Sequence, residues 1–319
     1  MIALADIRAA AGRIAGKVHR TPLFSATELG ERAGARLFLK CESFQKTGSF
    51  KPRGALNKIL SLSESERSRG LVTVSAGNHA QAVAWAARIA GASATVVMPT
   101  DAPRSKIEAV RGYGAEIILH DDRTTLFDKL NEVRESRGLT FVHPFDDPVV
   151  LAGAGTVGLE IVEDCPDVEV VIVPVGGGGL LGGVASAIKQ LRPSARVIAV
   201  ELAEGPGLGP ALEAGTPVAV PRPHDTLADG MTPPFVGQIP LSIAREAVDQ
   251  VVAVGEKAIV EAMKLLMTRA KLFVEGSGAA ATAALLDGAV KLDPGARVVA
   301  IVSGGNVDLE RVARAVLAA

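Results

Sequence analysis

A chain of 319 residues that is 48% hydrophobic and 22% charged has the apolar content for a large buried core and the length for two domains. Thirty-four basic residues stand against thirty-five acidic ones, which excludes the broad basic face that nucleic acid or an anionic membrane surface requires and leaves a small molecule or another copy of the chain as the expected partner. Cys41 and Cys165 are the only cysteines; without metal-like spacing they are expected to be buried thiols in a reducing cytoplasm, not a disulfide or a zinc site.

In chain order, residues 1–20 carry Asp6, Arg8 and Arg13, which interrupt any signal-peptide core and predict an amphipathic helix, so no export is expected. Short β-branched runs then alternate with helical patterns. RLFLK, GLVTVSA, ATVVMP, AEIILH, TFVHPF, VEVVIVPV, RVIAVE, QVVAV and ARVVAIVS are the predicted strands, and the alternation predicts an α/β fold with mostly parallel sheets that bind ligands at the carboxyl ends of strands. Nine strands are many for one sheet and argue for a second domain. No tandem repeat, low-complexity tract or long linker separates the two. Residues 170–188 hold no charge over nineteen positions, about the length of a membrane span, but six glycines and Pro174 favour a buried strand, a glycine loop and a helix. The Pro- and Gly-rich stretch 204–240, with PRPHDTLADGMTPP inside it, is expected to be an ordered surface excursion near the site.

Four loops carry candidate chemistry. In TGSFKPRGA, residues 47–55, Pro52 suits the first helical position and puts Lys51 at a helix start. The positive end of the helix and nearby Arg53 are expected to lower the pKa of the amine, and an uncharged amine can attack an aldehyde; the plainer alternative is a solvated surface lysine. VSAGNHAQ, residues 74–81, ends a strand and opens a helix, so Ser75, Gly77, Asn78 and His79 offer small polar groups and free amides to an oxyanion. Ordinary N-capping by Ser75 or Asn78 explains the same residues. PVGGGGLLGG, residues 174–183, has the physics of a phosphate cradle, but Gly177, Gly179 and Gly182 also satisfy GxGxxG, with Glu201 placed as a ribose-binding acid, which keeps a dinucleotide site open. IVSGGNVD, residues 301–308, places Ser303 at a strand end, where it is either a partner for a ring nitrogen or a simple turn serine.

Together, SFKPRGA, SAGNHAQ, PVGGGGL and SGGNVD, in that order over residues 49–308, resemble the fold-type II pyridoxal-phosphate enzymes, and among them the serine/threonine dehydratase and serine racemase family. The resemblance implies that Lys51 forms a Schiff base with pyridoxal 5'-phosphate, that Phe50 lies against the pyridine ring and that Asn78 bonds the ring hydroxyl. It further implies that the amides of Gly176, Gly177, Gly178, Gly179 and Leu180 hold the phosphate, that Ser303 faces the ring nitrogen, and that Ser75, Gly77, Asn78 and His79 take the substrate carboxylate. A two-domain fold like that of the tryptophan synthase β chain follows, with residues 1–64 and 148–319 as the large cofactor domain and 65–147 as an inserted small domain.

The implied activity is that of an ammonia-lyase. Lys51 removes the α-proton, the β-hydroxyl leaves with the cofactor phosphate as its acid, and the product hydrolyses to a 2-oxo acid and ammonia. An uncharged Ser303 should favour elimination over transamination. Two departures bear on the reaction. Ala76 stands where racemases of the family have a second serine, which predicts poor racemisation. Glu201 matches one ligand of a divalent-metal site found in some members, but Gly207 replaces a second acid, so no metal is assigned. With the fourth loop so near residue 319, feedback control by an end product is not expected, and a catabolic, cytoplasmic homodimer or homotetramer is. The alternatives are a racemase, a hydroxyaspartate or phenylserine dehydratase, and, from another class, an NAD-dependent oxidoreductase built on the GxGxxG-like loop.

Overall fold

The computed structural model describes residues 1–102, 104–220, 223 and 226–318. Ten strands are present among them: β1 Leu23–Ser25, β2 Arg36–Cys41, β3 Leu71–Val74, β4 Ala94–Pro99, β5 Glu116–His120, β6 Thr140–Phe141, β7 Val170–Pro174, β8 Arg196–Leu202, β9 Gln250–Val254 and β10 Arg297–Val302. They form a six-stranded sheet in the order β1-β2-β10-β7-β8-β9 and a four-stranded sheet in the order β5-β4-β3-β6. Every pairing is parallel except that of β1 with β2. The fold is α/β with parallel-rich sheets flanked by helices, as the alternation of patterns required.

Apolar runs without polar alternation belong in sheets covered on both faces. In β7, Val170 and Ile172 enter one buried cluster while Val171 and Val173 enter another; β10 divides Val298, Ala300 and Val302 from Val299 and Ile301 in the same way. Period-two geometry thus splits one hydrophobic run between two cores. The amphipathic start of the chain is the helix Leu4–Ile14, with Ile7, Ala10 and Ile14 buried. Both cysteines are buried and unpaired.

Three expectations need correction. β1 has only three residues, too short for a readable period, and the edge pairing with β2 makes it a strand. TFVHPF is a strand only at Thr140–Phe141, because Pro144 has no N–H for a ladder and the chain turns there. The stretch 204–240 is not simply a surface excursion: Leu227, Ala228, Met231 and Val236 are buried, and Pro221, Arg222, His224 and Asp225 lie outside the described residues. Residues 170–188 divide into β7, a turn and the helix Gly179–Leu191, and among the described residues no helix is long and apolar enough to cross a membrane.

Strand order positions the site. In the large sheet the chain moves outward from β7 to β8 and β9, then returns to place β10 on the other side of β7. In the small sheet it moves from β3 to β4 and β5, then returns with β6 on the other side of β3. Such reversals open a crevice at the carboxyl ends of neighbouring strands. The tetraglycine turn follows β7 and the SGGN turn follows β10; the SAGNH loop follows β3 and a His-Pro-Phe turn follows β6.

Candidate active site

The SFK and SGG segments are joined along their backbones. Phe50 N donates to the Ser303 carbonyl at 3.1 Å, Gly305 N donates to the Gly48 carbonyl at 2.9 Å, and Ser49 bridges Gly304. The helix Lys51–Ser61 starts at the lysine, with Phe50 before it and Pro52 in its first turn. The Lys51 amine donates to the Pro144 carbonyl at 2.8 Å and sits 5.1 Å from the centre of the Phe50 ring. Although Lys51 keeps partial solvent contact, burial of the amine lowers its pKa to about 8.

The lowering was foreseen, but its cause was not. Arg53 points away from the amine into a buried cluster. It bonds Glu42 at 2.8 Å through Nε and through Nη2, and Glu160 at 2.7 Å through Nη1 and 2.8 Å through Nη2. Lys40, itself buried, donates to Glu160 at 2.6 Å. Two cations and two carboxylates cancel, so the guanidinium lends Lys51 little field, and desolvation lowers the amine.

The turn His143–Asp147, which follows β6, meets Lys51 through Pro144. His143 Nδ1 accepts from Phe145 N at 3.2 Å and Asp146 N at 2.8 Å, which folds the backbone so that the Pro144 carbonyl faces the amine. Asp146 accepts from Gln238 N at 3.1 Å and Ile239 N at 2.9 Å, and Asp147 caps the helix Pro148–Asp164 through Val149 N at 2.8 Å and Val150 N at 3.1 Å. Two bonds to Nδ1 require that nitrogen to be unprotonated; burial depresses the pKa of His143 and keeps it so.

The tetraglycine turn lies against the same segment. A Cβ on Gly177 would fall 2.3 Å from the Phe145 ring, one on Gly176 would fall 2.8 Å from the Gly230 carbonyl, and Gly178 has φ of +88°. Only glycine meets these demands. The amides of Gly176, Gly177, Gly178, Gly179 and Leu180 have no acceptor among the described residues, and they open the thirteen-residue helix Gly179–Leu191. Free amides at a positive helix end fit a phosphate.

Asn78 begins the helix Asn78–Ile89. Its Nδ2 donates to Glu275 at 2.8 Å and its Oδ1 accepts from Asn306 at 2.9 Å, which ties the SAGNH loop to the SGGN turn. Ser75 Oγ accepts from Gly77 N at 3.1 Å. The amides of Asn78, His79 and Ala80 have no acceptor among the described residues. The His79 ring is less available than expected. It is buried and directed at the Val142 carbonyl, 3.1 Å from Nε2, and burial keeps it neutral. Nδ1 is then a bare acceptor, so what His79 can give a carboxylate is its main-chain N–H.

Ser303 is buried and donates to the Ser277 carbonyl at 3.1 Å. The hydroxyls of Thr47, Ser49 and Ser277 are buried with no partner among the described residues; Thr47 and Ser49 belong to the segment that carries the amine, and Ser277 supplies the carbonyl that Ser303 bonds. Unpartnered buried polar atoms are rare in native proteins. An amine, a ring face at Phe50, five free amides and unpaired hydroxyls suit a phosphorylated aromatic aldehyde. Pro144, Phe145, Glu275 and Asn306 were missed in the sequence. A proline within a predicted strand was the available signal for the first two, and a lone acid in FVEGSGAA for Glu275.

Glu201 is engaged with the main chain in this arrangement. Its Oε2 accepts from the amides of Gly207, Leu208 and Gly209 at 2.9, 2.7 and 3.2 Å, so the carboxylate is used to cap the helix Leu208–Ala214. That occupies one oxygen of the acid the dinucleotide alternative needed.

A family model described as "Pyridoxal-phosphate dependent enzyme" matches residues 14–304. An L-threonine ammonia-lyase of Thermotoga maritima is 47% identical, over 98% of this chain and 78% of its own. L-threonine dehydratase catabolic TdcB of Escherichia coli is 44% identical, over 98% of this chain and 95% of its own. Among solved structures, maize serine racemase superposes with a TM-score of 0.93 at 40% identity, over 99% of this chain and 97% of its own. Agreement over this extent, on a crevice already suited to the cofactor, makes the chain a member of the pyridoxal-phosphate-dependent enzyme family.

Proposed function

We propose that the protein is an ammonia-lyase that converts threonine or serine to a 2-oxo acid and ammonia. One observation carries the reading: the desolvated Lys51 amine, with a pKa of about 8, stands where the four glycine- and serine-bearing loops converge. Two relatives above 40% identity bear threonine ammonia-lyase or dehydratase names. Bound at this site, pyridoxal phosphate supplies an aldehyde for exchange between amines and an electron-withdrawing ring that acidifies a substrate's α-carbon.

The chain's own residues do the rest. The amides of Gly176, Gly177, Gly178, Gly179 and Leu180 would hold the phosphate, Phe50 the ring, Asn78 the ring hydroxyl and Ser303 the ring nitrogen. Ser75, Gly77 and the first-turn amides of Asn78 and His79 hold the substrate carboxylate. The Lys51 amine would hold the cofactor through its aldehyde and, when free, would accept the α-proton. The hydroxyl of Ser303 carries no charge that could fix a proton on the ring nitrogen, which favours loss of the β-hydroxyl over transfer of the amine. A large domain of residues 1–64 and 148–319, a small domain of 65–147, and a cytoplasmic homodimer or homotetramer in amino-acid catabolism belong to the same proposal. The separation into two sheets and the catabolic name of the Escherichia coli relative support it.

Assay of 2-oxo acid and ammonia over a panel of threonine, serine, phenylserine and hydroxyaspartate tests the reading. Threonine and serine are expected to give both products; uptake of the cofactor with no 2-oxo acid from either would sink it. The likeness to a serine racemase makes racemisation the second reading, and Ala76 is the observation against it. Ala76→Ser is expected to raise racemisation relative to elimination by roughly tenfold, by adding an acid/base group. Chiral chromatography of recovered serine checks the ratio.

A further inference from the structure

The SGGN turn contributes more than Ser303. Asn306 Nδ2 donates to the Thr47 carbonyl at 2.6 Å and to Asn78 Oδ1 at 2.9 Å. A main-chain carbonyl only accepts, so it dictates which end of the Asn306 amide is nitrogen; that nitrogen in turn requires Asn78 to present its oxygen. The other end of the Asn78 amide donates to Glu275 Oε1 at 2.8 Å. Three bonds therefore run from the first loop through the fourth to the second and end on a carboxyl group that none of the loops contains.

Glu275 precedes the helix Gly276–Leu286, but its side chain caps none of the helix amides. Its side chain reaches a residue 197 positions away in sequence. Glu275 is 2% exposed, and its slot is cleared by Gly304, where a Cβ would fall 2.4 Å from Oε1. Burial, reinforced by nearby Asp229, pushes its pKa up to about 8. A polar group held this deep is costly unless its bonds matter, and it bonds the Asn78 amide and the Asn306 main chain.

We propose that Glu275 and Asn306 are positioning residues that clamp the Asn78 amide, so that the group it offers the bound cofactor is an N–H and not its carbonyl oxygen. The proposal rests on the reading of Asn78 as the ligand of the ring hydroxyl. Without the clamp, half a turn about the last side-chain bond would present a carbonyl oxygen, which an ionised ring oxygen could not bond. With it, that rotation breaks both bonds.

The test is a titration of cofactor-free protein with pyridoxal phosphate, reading the dissociation constant and the position of the visible absorption band. Glu275→Ala and Asn306→Ala are each expected to weaken binding about tenfold and to shift the band. Glu275→Gln keeps an acceptor oxygen and is expected to stay within about threefold of wild type. Because both residues act through Asn78, adding either substitution to Asn78→Ala is expected to cost nothing further. Unchanged binding and band in the single variants, or losses that multiply with that of Asn78→Ala, would overturn the clamp. If Glu275→Ala does not fold, Asn306→Ala, on a half-buried turn, decides the question by the same criteria. Failure of the wild type to bind the cofactor would overturn the proposed function and the clamp together, whereas tight binding with indifferent variants would remove the clamp alone.

Discussion

Lys51→Ala is expected to fold like the wild type, to bind pyridoxal phosphate weakly and to turn over threonine about ten-thousand-fold more slowly or worse. The substitution removes the group proposed both to bond the aldehyde and to accept the α-proton, and a positioned base alone contributes about a hundred- to ten-thousand-fold. The fold should persist because, among the described residues, the amine makes one hydrogen bond, to Pro144, and takes no part in the buried ionic cluster. Circular dichroism checks the fold and 2-oxo acid release checks turnover. Borohydride treatment of the wild type should fix the cofactor at residue 51, located by mass spectrometry. Substantial activity in Lys51→Ala would remove the lysine from the mechanism. The sign of the pH dependence follows from desolvation. A base must be free of its proton, and burial brings the amine down to about 8; because Lys51 would be a free amine only once the substrate has displaced it, kcat should rise with pH through that region. An ordinary lysine would place the rise more than two pH units higher.

Arg53→Leu is expected to be the most destabilising substitution near the site. The side chain is 1% exposed and Glu42 is fully buried. Arg53 supplies two bonds to each of Glu42 and Glu160, and its loss leaves two carboxylates with only Lys40 to balance them. Removing one partner of a buried ionic group costs about 3–5 kcal/mol, because the remaining charge is uncompensated. For a protein of this size that corresponds to a fall in Tm of roughly 10 °C. Thermal melts of cofactor-free protein check it, and an unchanged Tm would show that the cluster contributes nothing net. The same cluster predicts acid sensitivity. Burial works to raise the Glu160 pKa, but Arg53 and Lys40 outweigh it and hold the carboxyl below its ordinary range. Its folded pKa lies below its unfolded one, so the stabilisation is fully present above the unfolded value and is lost as pH falls through the folded one. The wild type should lose stability over that acidic window.

The relation between sequence and site can be followed in particular residues. The tetraglycine loop was legible because its requirements are local: a strand end, a left-handed residue at Gly178 and free amides at a helix start. The SAGNH and SGGN turns were legible for the same reason, since short polar turns after apolar strands announce carboxyl ends. TFVHPF was misread past Phe141, because a β-branched and aromatic run looks like a strand until the missing N–H of Pro144 is counted. Arg53 was given the wrong effect on Lys51. Proximity in sequence suggested a nearby charge, whereas the side chain lies among Glu42, Glu160 and Lys40.

The sequence by itself determined the α/β class, most of the strands and the places of the four polar or glycine-rich turns, because periodicity and turn composition act over a few residues. Tertiary structure alone decided the partners that make those loops one site. The bond from Lys51 to Pro144 spans 93 residues, that from Arg53 to Glu160 spans 107 and that from Asn78 to Glu275 spans 197. Desolvation, which sets the Lys51 and Glu275 pKa values, is a property of the packed surroundings. No short stretch of chain encodes the surface that other stretches will bury.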